Sequence, residues 1–201
     1  YRLHSSILSR IIFPLGSLDK EDVNSMAIEN GLIIEKLHHS RDLCFLENGN
    51  LREFLKDRLD LISGRVFLED GTFIGRHPAI QTLTIGQRRG LNIAWKYPIY
   101  VLSIDLVEKK VVVGAKERLF RTEFFVEDVV WTCKKPVLPS KFTVKIRNTH
   151  KGSDALISEC GEIVRVVTDE PQAGISPGQS AVFHDGDLIV GGGYISPKTL
   201  E

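Results

Sequence analysis

No apolar run in this sequence approaches the ~20 residues that a membrane-spanning helix needs, so no membrane partner is expected. No secretory leader is expected either, because the opening YRLHSSILSRIIFPLGS mixes charged and apolar residues without a hydrophobic stretch of its own. Cysteine is scarce. Cys44, Cys133 and Cys160 are odd in number, far apart and never in a CxxC pair, which argues against a disulfide framework and against a zinc site. A reducing cytoplasm suits such a chain. Net charge is missing as well: 26 Lys and Arg balance 26 Asp and Glu. No global field therefore draws the chain to nucleic acid or membrane, and any polyanion site must come from local clustering. There is no HExxH, no GxSxG and no carboxylate pair at motif spacing. No metal site is expected.

What is present is ordinary globular material. The 201 residues, 42% hydrophobic and 26% charged, suit one large domain or two small ones. The first sixty residues have helical spacing. SLDKEDVNSMAIENGL offers Asp19 as an N-cap, Asp22 in a box-like position and Gly31 as a stop. NLREFLKDRLDLI sets Leu51, Phe54, Leu55 and Leu59 on one helical stripe that only Arg58 interrupts. After Ser63 the pattern turns to short strands. Asp70-Gly71 and Asp185-Gly186 mark hairpin turns, and PIYVLSIDLVEKKVVVGA and DALISECGEIVRVV each form a further strand pair. In KFTVKIRN, Phe142, Val144 and Ile146 alternate with Lys141, Lys145 and Arg147. The expected fold is mainly β with an N-terminal helical segment, a small central β-domain and a C-terminal β-barrel.

Charge is uneven along the chain. Gly71–Ile104 contains no acid but carries Arg76, Arg88, Arg89 and Lys96. Val129–Ser153 contains no acid but carries Lys134, Lys135, Lys141, Lys145, Arg147 and Lys151. Such stretches are the footprint of a phosphate-backbone binder, or else solvated faces whose acids come from elsewhere in the fold. TIGQRRGL reads as a tight turn presenting arginines, and ISPGQSAVF as a turn entering a strand, with the Gln179 amide able to donate and accept. Gly191–Gly193 has strands on both sides and no following GKS or GKT, so it marks close backbone packing or a bulge rather than a phosphate loop. His4, His77, His150 and His184 are isolated and read as structural or solvent-exposed. A lone cysteine is most often an inert filler. Cys44 differs from Cys133 and Cys160 in having His38, His39 and Arg41 close by and a helix beginning shortly after, the surroundings that lower a thiol pKa.

Taken in order, FPLGSLDKEDVNSMAIENGL, SRDLCFL, DGTFIGRHPAIQTLTIGQRRGLNI, YVLSIDLVEKKVVVG, VKIRN and PGQSAVFHDGDLIVGGGYI resemble the MnmA-type tRNA-specific 2-thiouridylases from about Phe13 to Ile195. The resemblance implies an enzyme that replaces the C2 oxygen of wobble uridine 34 with sulfur, through an adenylated intermediate and a cysteine persulfide. It implies three parts: a helical tail of the catalytic domain over 1–60, a central β-domain over 61–120 and a barrel over 121–199; the terminal Leu200-Glu201 reads, from its own residues, as a cloning scar. Cys44 matches the persulfide-bearing cysteine, although His39 stands where the family has aspartate. Arg147 and Asn148 match an Arg-Tyr pair that touches tRNA, with Asn148 lacking the stacking ring, and Gln179 matches a tRNA-contacting glutamine. The partners implied are the tRNA anticodon arm and a persulfide sulfur-donor protein. ATP is implied for the full-length enzyme only, because the family's SGGxDS loop does not occur in these residues, and the chain alone is expected to be inactive. A non-enzymatic RNA-binding barrel and a protein-interaction barrel remain as alternatives.

Overall fold

The computed structural model describes residues 1–32 and 51–200. Three short helices come first among them: α1 (Ser5–Leu8), α2 (Lys20–Glu29) and α3 (Leu51–Lys56). Asp19 is the N-cap of α2, but its side chain makes no capping hydrogen bond. Gly31, at φ 68°, ends that helix as expected. α3 stops sooner than the apolar stripe suggests. Arg58 folds back, donates to the Phe54 carbonyl at 2.9 Å and lies 3.8 Å above the Phe54 ring. The residue that broke the stripe thus packs on it through its own cationic plane. None of the three helices buries a side chain fully.

The strands form two units. In the first, β1 (Gly64–Leu68), β2 (Phe73–His77), β3 (Tyr100–Asp105) and β4 (Lys110–Gly114) make a 4-stranded sheet of order β2-β1-β4-β3. β1–β2 and β3–β4 are the two anticipated hairpins, and β1 and β4 join them in parallel. Asp70 accepts from the Thr72 N–H at 2.9 Å and Gly71 adopts φ 85°, the turn chemistry that Asp-Gly supplies. Val66, Val101, Val111 and Val113, all 0% exposed, form the core of this sheet with Ile80.

In the second unit β5 (Phe120–Trp131), β6 (Ser140–Lys145), β7 (Ser153–Cys160), β8 (Ile163–Ala173), β9 (Ser180–Asp185) and β10 (Leu188–Ile195) close into a barrel of order β10-β5-β8-β7-β6-β9. Closure leaves no unpaired edge. Alternation along each strand sends Phe124, Val126, Val144, Ala155, Ile157, Val166, Ala181 and Phe183 inward. Gly191–Gly193 lies where β10 runs tight between β5 and β9. A Cβ on Gly192 would sit 2.5 Å from the Ala181 carbonyl oxygen, and one on Gly193 would sit 2.3 Å from that of Glu127. Close backbone packing, with register shifts in β10 on both sides of the run, explains these glycines. No helix among the described residues is long and apolar enough to cross a membrane.

Candidate functional site

β9 positions the site. Ala181 and Phe183 point into the barrel, so Ser180, Val182 and His184 share its outer face. In the ladder with β6, Lys145 stands opposite Val182 and Thr143 opposite His184; in the ladder with β10, Ile189 stands opposite His184. The outer face therefore has Lys145, Val182, His184 and Ile189 as its floor. Two loops rise beside it. One follows β6 and carries Arg147 and Asn148. The other is the Pro177–Gly178–Gln179 turn that enters β9. Together they bound an open groove of about 640 Å³ lined by Lys145, Arg147, Asn148, Gln179 and His184 among others. That size is in the ~300–1,000 Å³ range of small-ligand clefts. Arg147, Asn148 and Gln179, the three residues singled out from the sequence as tRNA contacts, are brought together here.

Each wall is braced. The Gln179 N–H donates to the Ser176 carbonyl at 3.2 Å, and its own carbonyl accepts from the Ile195 N–H at 2.8 Å, as Ile195 in turn accepts from the Gly178 N–H at 2.8 Å. The turn is thus clamped to the end of β10. Arg147 donates through Nη2 to the Ala173 carbonyl, and its guanidinium lies against Gly174. His150 holds the same loop, donating its N–H to the Arg147 carbonyl at 3.1 Å and meeting Gln172 Oε1 through Nε2 at 2.8 Å.

The electrostatics single out this face. Among the described residues no acid lines the groove. Elsewhere in the same basic stretch, Lys135 pairs with Glu159, and Lys141 approaches Asp169 at 3.8 Å. Those two are solvated cations with acids from neighbouring strands. Lys145 and Arg147 have no such ion pair among the described residues. Burial, and after it the charge of Lys145, hold the pKa of His184 below the ordinary histidine value, so its ring is neutral at neutral pH. Gln179 Oε1 is buried and has no hydrogen-bond partner among the described residues. An unsatisfied buried acceptor costs roughly 1–3 kcal/mol.

Lys145 and His184 were not legible as groove residues from the sequence. The signal that finds them is cross-strand register, which places them beside Val182 on one outer face. TIGQRRGL is a braced turn in the first unit: Gln87 Oε1 accepts from the Thr84 N–H at 3.0 Å, Gln87 Nε2 donates to the Arg89 carbonyl at 2.7 Å, and Arg88 and Arg89 are exposed. His77 is structural. Its Nδ1 accepts from the Ala79 N–H at 3.2 Å, and Nε2 therefore donates to the Gly90 carbonyl at 3.1 Å. Cys44 lies outside the described residues. Among the described residues no cluster of His, Cys, Asp or Glu could hold a metal.

Comparison with known proteins covers nearly the whole chain. Residues 1–48 match the tRNA methyl transferase HUP domain, residues 52–115 the tRNA methyl transferase PRC-barrel domain, and residues 121–195 the aminomethyltransferase beta-barrel domain. A tRNA-specific 2-thiouridylase MnmA of Syntrophotalea carbinolica is 37% identical over 98% of this chain and 56% of its own length. Its counterpart in Nostoc punctiforme is 39% identical over 97% of this chain and 56% of its own. The chain thus spans about half the length of the relatives it matches.

Proposed function

Because this chain belongs to the tRNA-specific 2-thiouridylase family, we propose that it is the sulfur-delivering and tRNA-gripping part of an enzyme that thiolates wobble uridine 34. Cys44 carries the sulfur as a persulfide loaded by a donor protein; the terminal sulfur attacks C2 of the uridine, the activated C2 oxygen departs, and a second cysteine of the whole enzyme, as the resemblance implies, attacks the Cys44 sulfur, so that the S–S bond breaks, a Cys–Cys disulfide forms and the sulfur stays on C2. A uracil carbonyl oxygen is a poor leaving group and must first be activated, by adenylation as the resemblance implies. The described residues do not fit that task. Gly191–Gly193, the one run of consecutive glycines, is packed against β5 and β9 and leaves no cradle for phosphates. No step involving ATP is therefore assigned to them.

The barrel groove grips the anticodon arm. The observation that carries this is the convergence of Arg147, Asn148 and Gln179, distant in sequence, on one acid-free concavity that also holds Lys145. Cations without a carboxylate partner are free to displace counterions from a phosphate backbone. The double substitution Lys145→Glu/Arg147→Glu is expected to weaken tRNA binding by the whole protein on the order of tenfold or more, and to lower the slope of log affinity against log salt by about 2. Fluorescence anisotropy across a salt series reads both quantities. Unchanged affinity and slope would leave the barrel as a protein-interaction module. Loss of binding together with thiolation indifferent to Cys44 would leave a non-enzymatic RNA-binding barrel.

A further inference from the structure

The outer face of the 4-stranded sheet carries a row of cations that nothing inside the fold explains. Val66, Val111 and Val113 point into the core, so Arg65 and Phe67 of β1 and Lys110 of β4 share the opposite face. The ladders place Arg65 directly opposite both Arg76 of β2 and Lys110. Arg76, Arg65 and Lys110 thus run side by side across β2, β1 and β4, and each is exposed. Neighbouring strands lie about 4.8 Å apart, so the row spans roughly 10 Å. Like charges directly opposite one another destabilise a sheet. Here no carboxylate offsets them: Arg76, Arg65 and Lys110 make no ion pair among the described residues. Glu69, just past β1, is taken by Arg118 at 2.6 Å. Asp105 stands opposite Lys110 at the sheet edge, but its Oδ1 accepts from the Val107 and Glu108 N–H groups at 2.9 and 2.8 Å. The row is instead propped by aromatic rings. The Arg65 guanidinium lies 5.6 Å and the Lys110 Nζ 5.3 Å from the centre of the Phe67 ring. Phe73, 53% exposed, packs edge-on against that ring at 5.6 Å. Such contacts hold the two charges over the sheet without neutralising them.

We propose that this face is a second phosphate-binding surface, which holds the backbone of the tRNA outside the anticodon arm. This rests on the reading of the chain as part of a tRNA-thiolating enzyme, but not on the barrel groove, which belongs to the other unit. Each strand of a duplex carries a phosphate on the order of every 3 Å of axis, so a row of roughly 10 Å follows about three of them. Arg65 and Arg76 offer planar forks that fit phosphate oxygens, and Lys110 adds a point charge beside them. An acidic protein surface could meet the same cations, but a straight, evenly spaced row suits a backbone of evenly spaced charges better. Contacts of this kind fix the position of an RNA and carry no base identity.

The test titrates whole tRNA and its isolated anticodon stem-loop into the whole protein by anisotropy across a salt series. The wild type is expected to bind whole tRNA about tenfold more tightly than the stem-loop. Arg65→Ser/Arg76→Ser/Lys110→Ser should remove that advantage and leave stem-loop binding unchanged. It should also lower the slope of log affinity against log salt for whole tRNA by about 2–3. Arg65→Lys/Arg76→Lys, which keeps the charge, should stay within about threefold of wild type. Loss of like-charge contacts should leave the melting temperature of the serine variant at or above that of wild type, and circular dichroism checks that it is folded. Lys145→Glu/Arg147→Glu should weaken both RNAs, so the two surfaces fail separately. Whole-tRNA affinity and salt slope unchanged in the serine variant would overturn the second surface and leave the face to an acidic protein. Equal affinity of the wild type for the two RNAs would overturn it as well, as would an equal loss on both in the serine variant. In any of these cases, a loss on both RNAs in the Lys145/Arg147 variant would leave the groove reading standing. Indifference of both RNAs to every one of these charge changes would instead overturn the underlying tRNA-binding reading.

Discussion

Replacing Cys44 with serine in the whole protein will abolish thiolation of tRNA, lowering the rate on the order of 10³-fold or more, the scale on which loss of a covalent nucleophile acts. The argument is chemical. A thiolate accepts and releases a sulfane sulfur through S–S bonds, and a serine hydroxyl, with a far higher pKa and no sulfur valence to share, does neither. Arg41, His38 and His39 are within a few residues of Cys44 in sequence, and cationic neighbours are the kind of surroundings that lower a thiol pKa. The same variant is expected to bind tRNA with wild-type affinity, since the groove proposed to grip it is in the barrel. Thiolation within tenfold of wild type, scored by mass spectrometry of the digested tRNA, would refute the role of Cys44.

The second large effect is on the barrel. Phe183→Ala will destabilise it by about 3–5 kcal/mol, the range for emptying a buried aromatic position. Phe183 is 0% exposed, its ring centroid is 5.7 Å from that of Trp131, and its strand lies between β6 and β10. Set against a typical domain stability of ~5–15 kcal/mol, such a loss brings the unit near unfolding. The consequence reaches function through the strand. Val182 and His184 flank Phe183 on the opposite face, so loosening β9 removes the groove floor. Urea unfolding followed by tryptophan fluorescence measures the loss, and a change below ~1 kcal/mol would contradict the assigned core.

How much of this was legible in the sequence divides by range. The hairpins were, because Asp-Gly turns and alternating strands are local signals: Asp70-Gly71 and Asp185-Gly186 mark β1–β2 and β9–β10. The parallel pairing of β1 with β4 was not; the C-terminal barrel was expected and is there, but the pairs that close it, β10–β5 and β6–β9, were not legible. Turn residues specify only which neighbours in sequence pair, whereas those contacts join strands far apart in the chain. α3 was drawn too long because periodicity is blind to an arginine folding back onto its own helix. Within the groove, Arg147, Asn148 and Gln179 came from the family resemblance. Lys145 looked like one lysine among several until the acids of β7 and β8 were found beside Lys135 and Lys141 and none beside it. His184 read as isolated because its neighbours are across the ladder, not along the chain.

The central claim is that the outer face of β9 and its two flanking loops touch the RNA. Ultraviolet crosslinking of tRNA to the whole protein, with the adducts located by peptide mass spectrometry, tests it most directly. The account predicts crosslinks in peptides spanning 145–150 and 178–184. Crosslinks confined to other surfaces, such as the exposed turn bearing Arg88 and Arg89, with none in those two peptides, would contradict it.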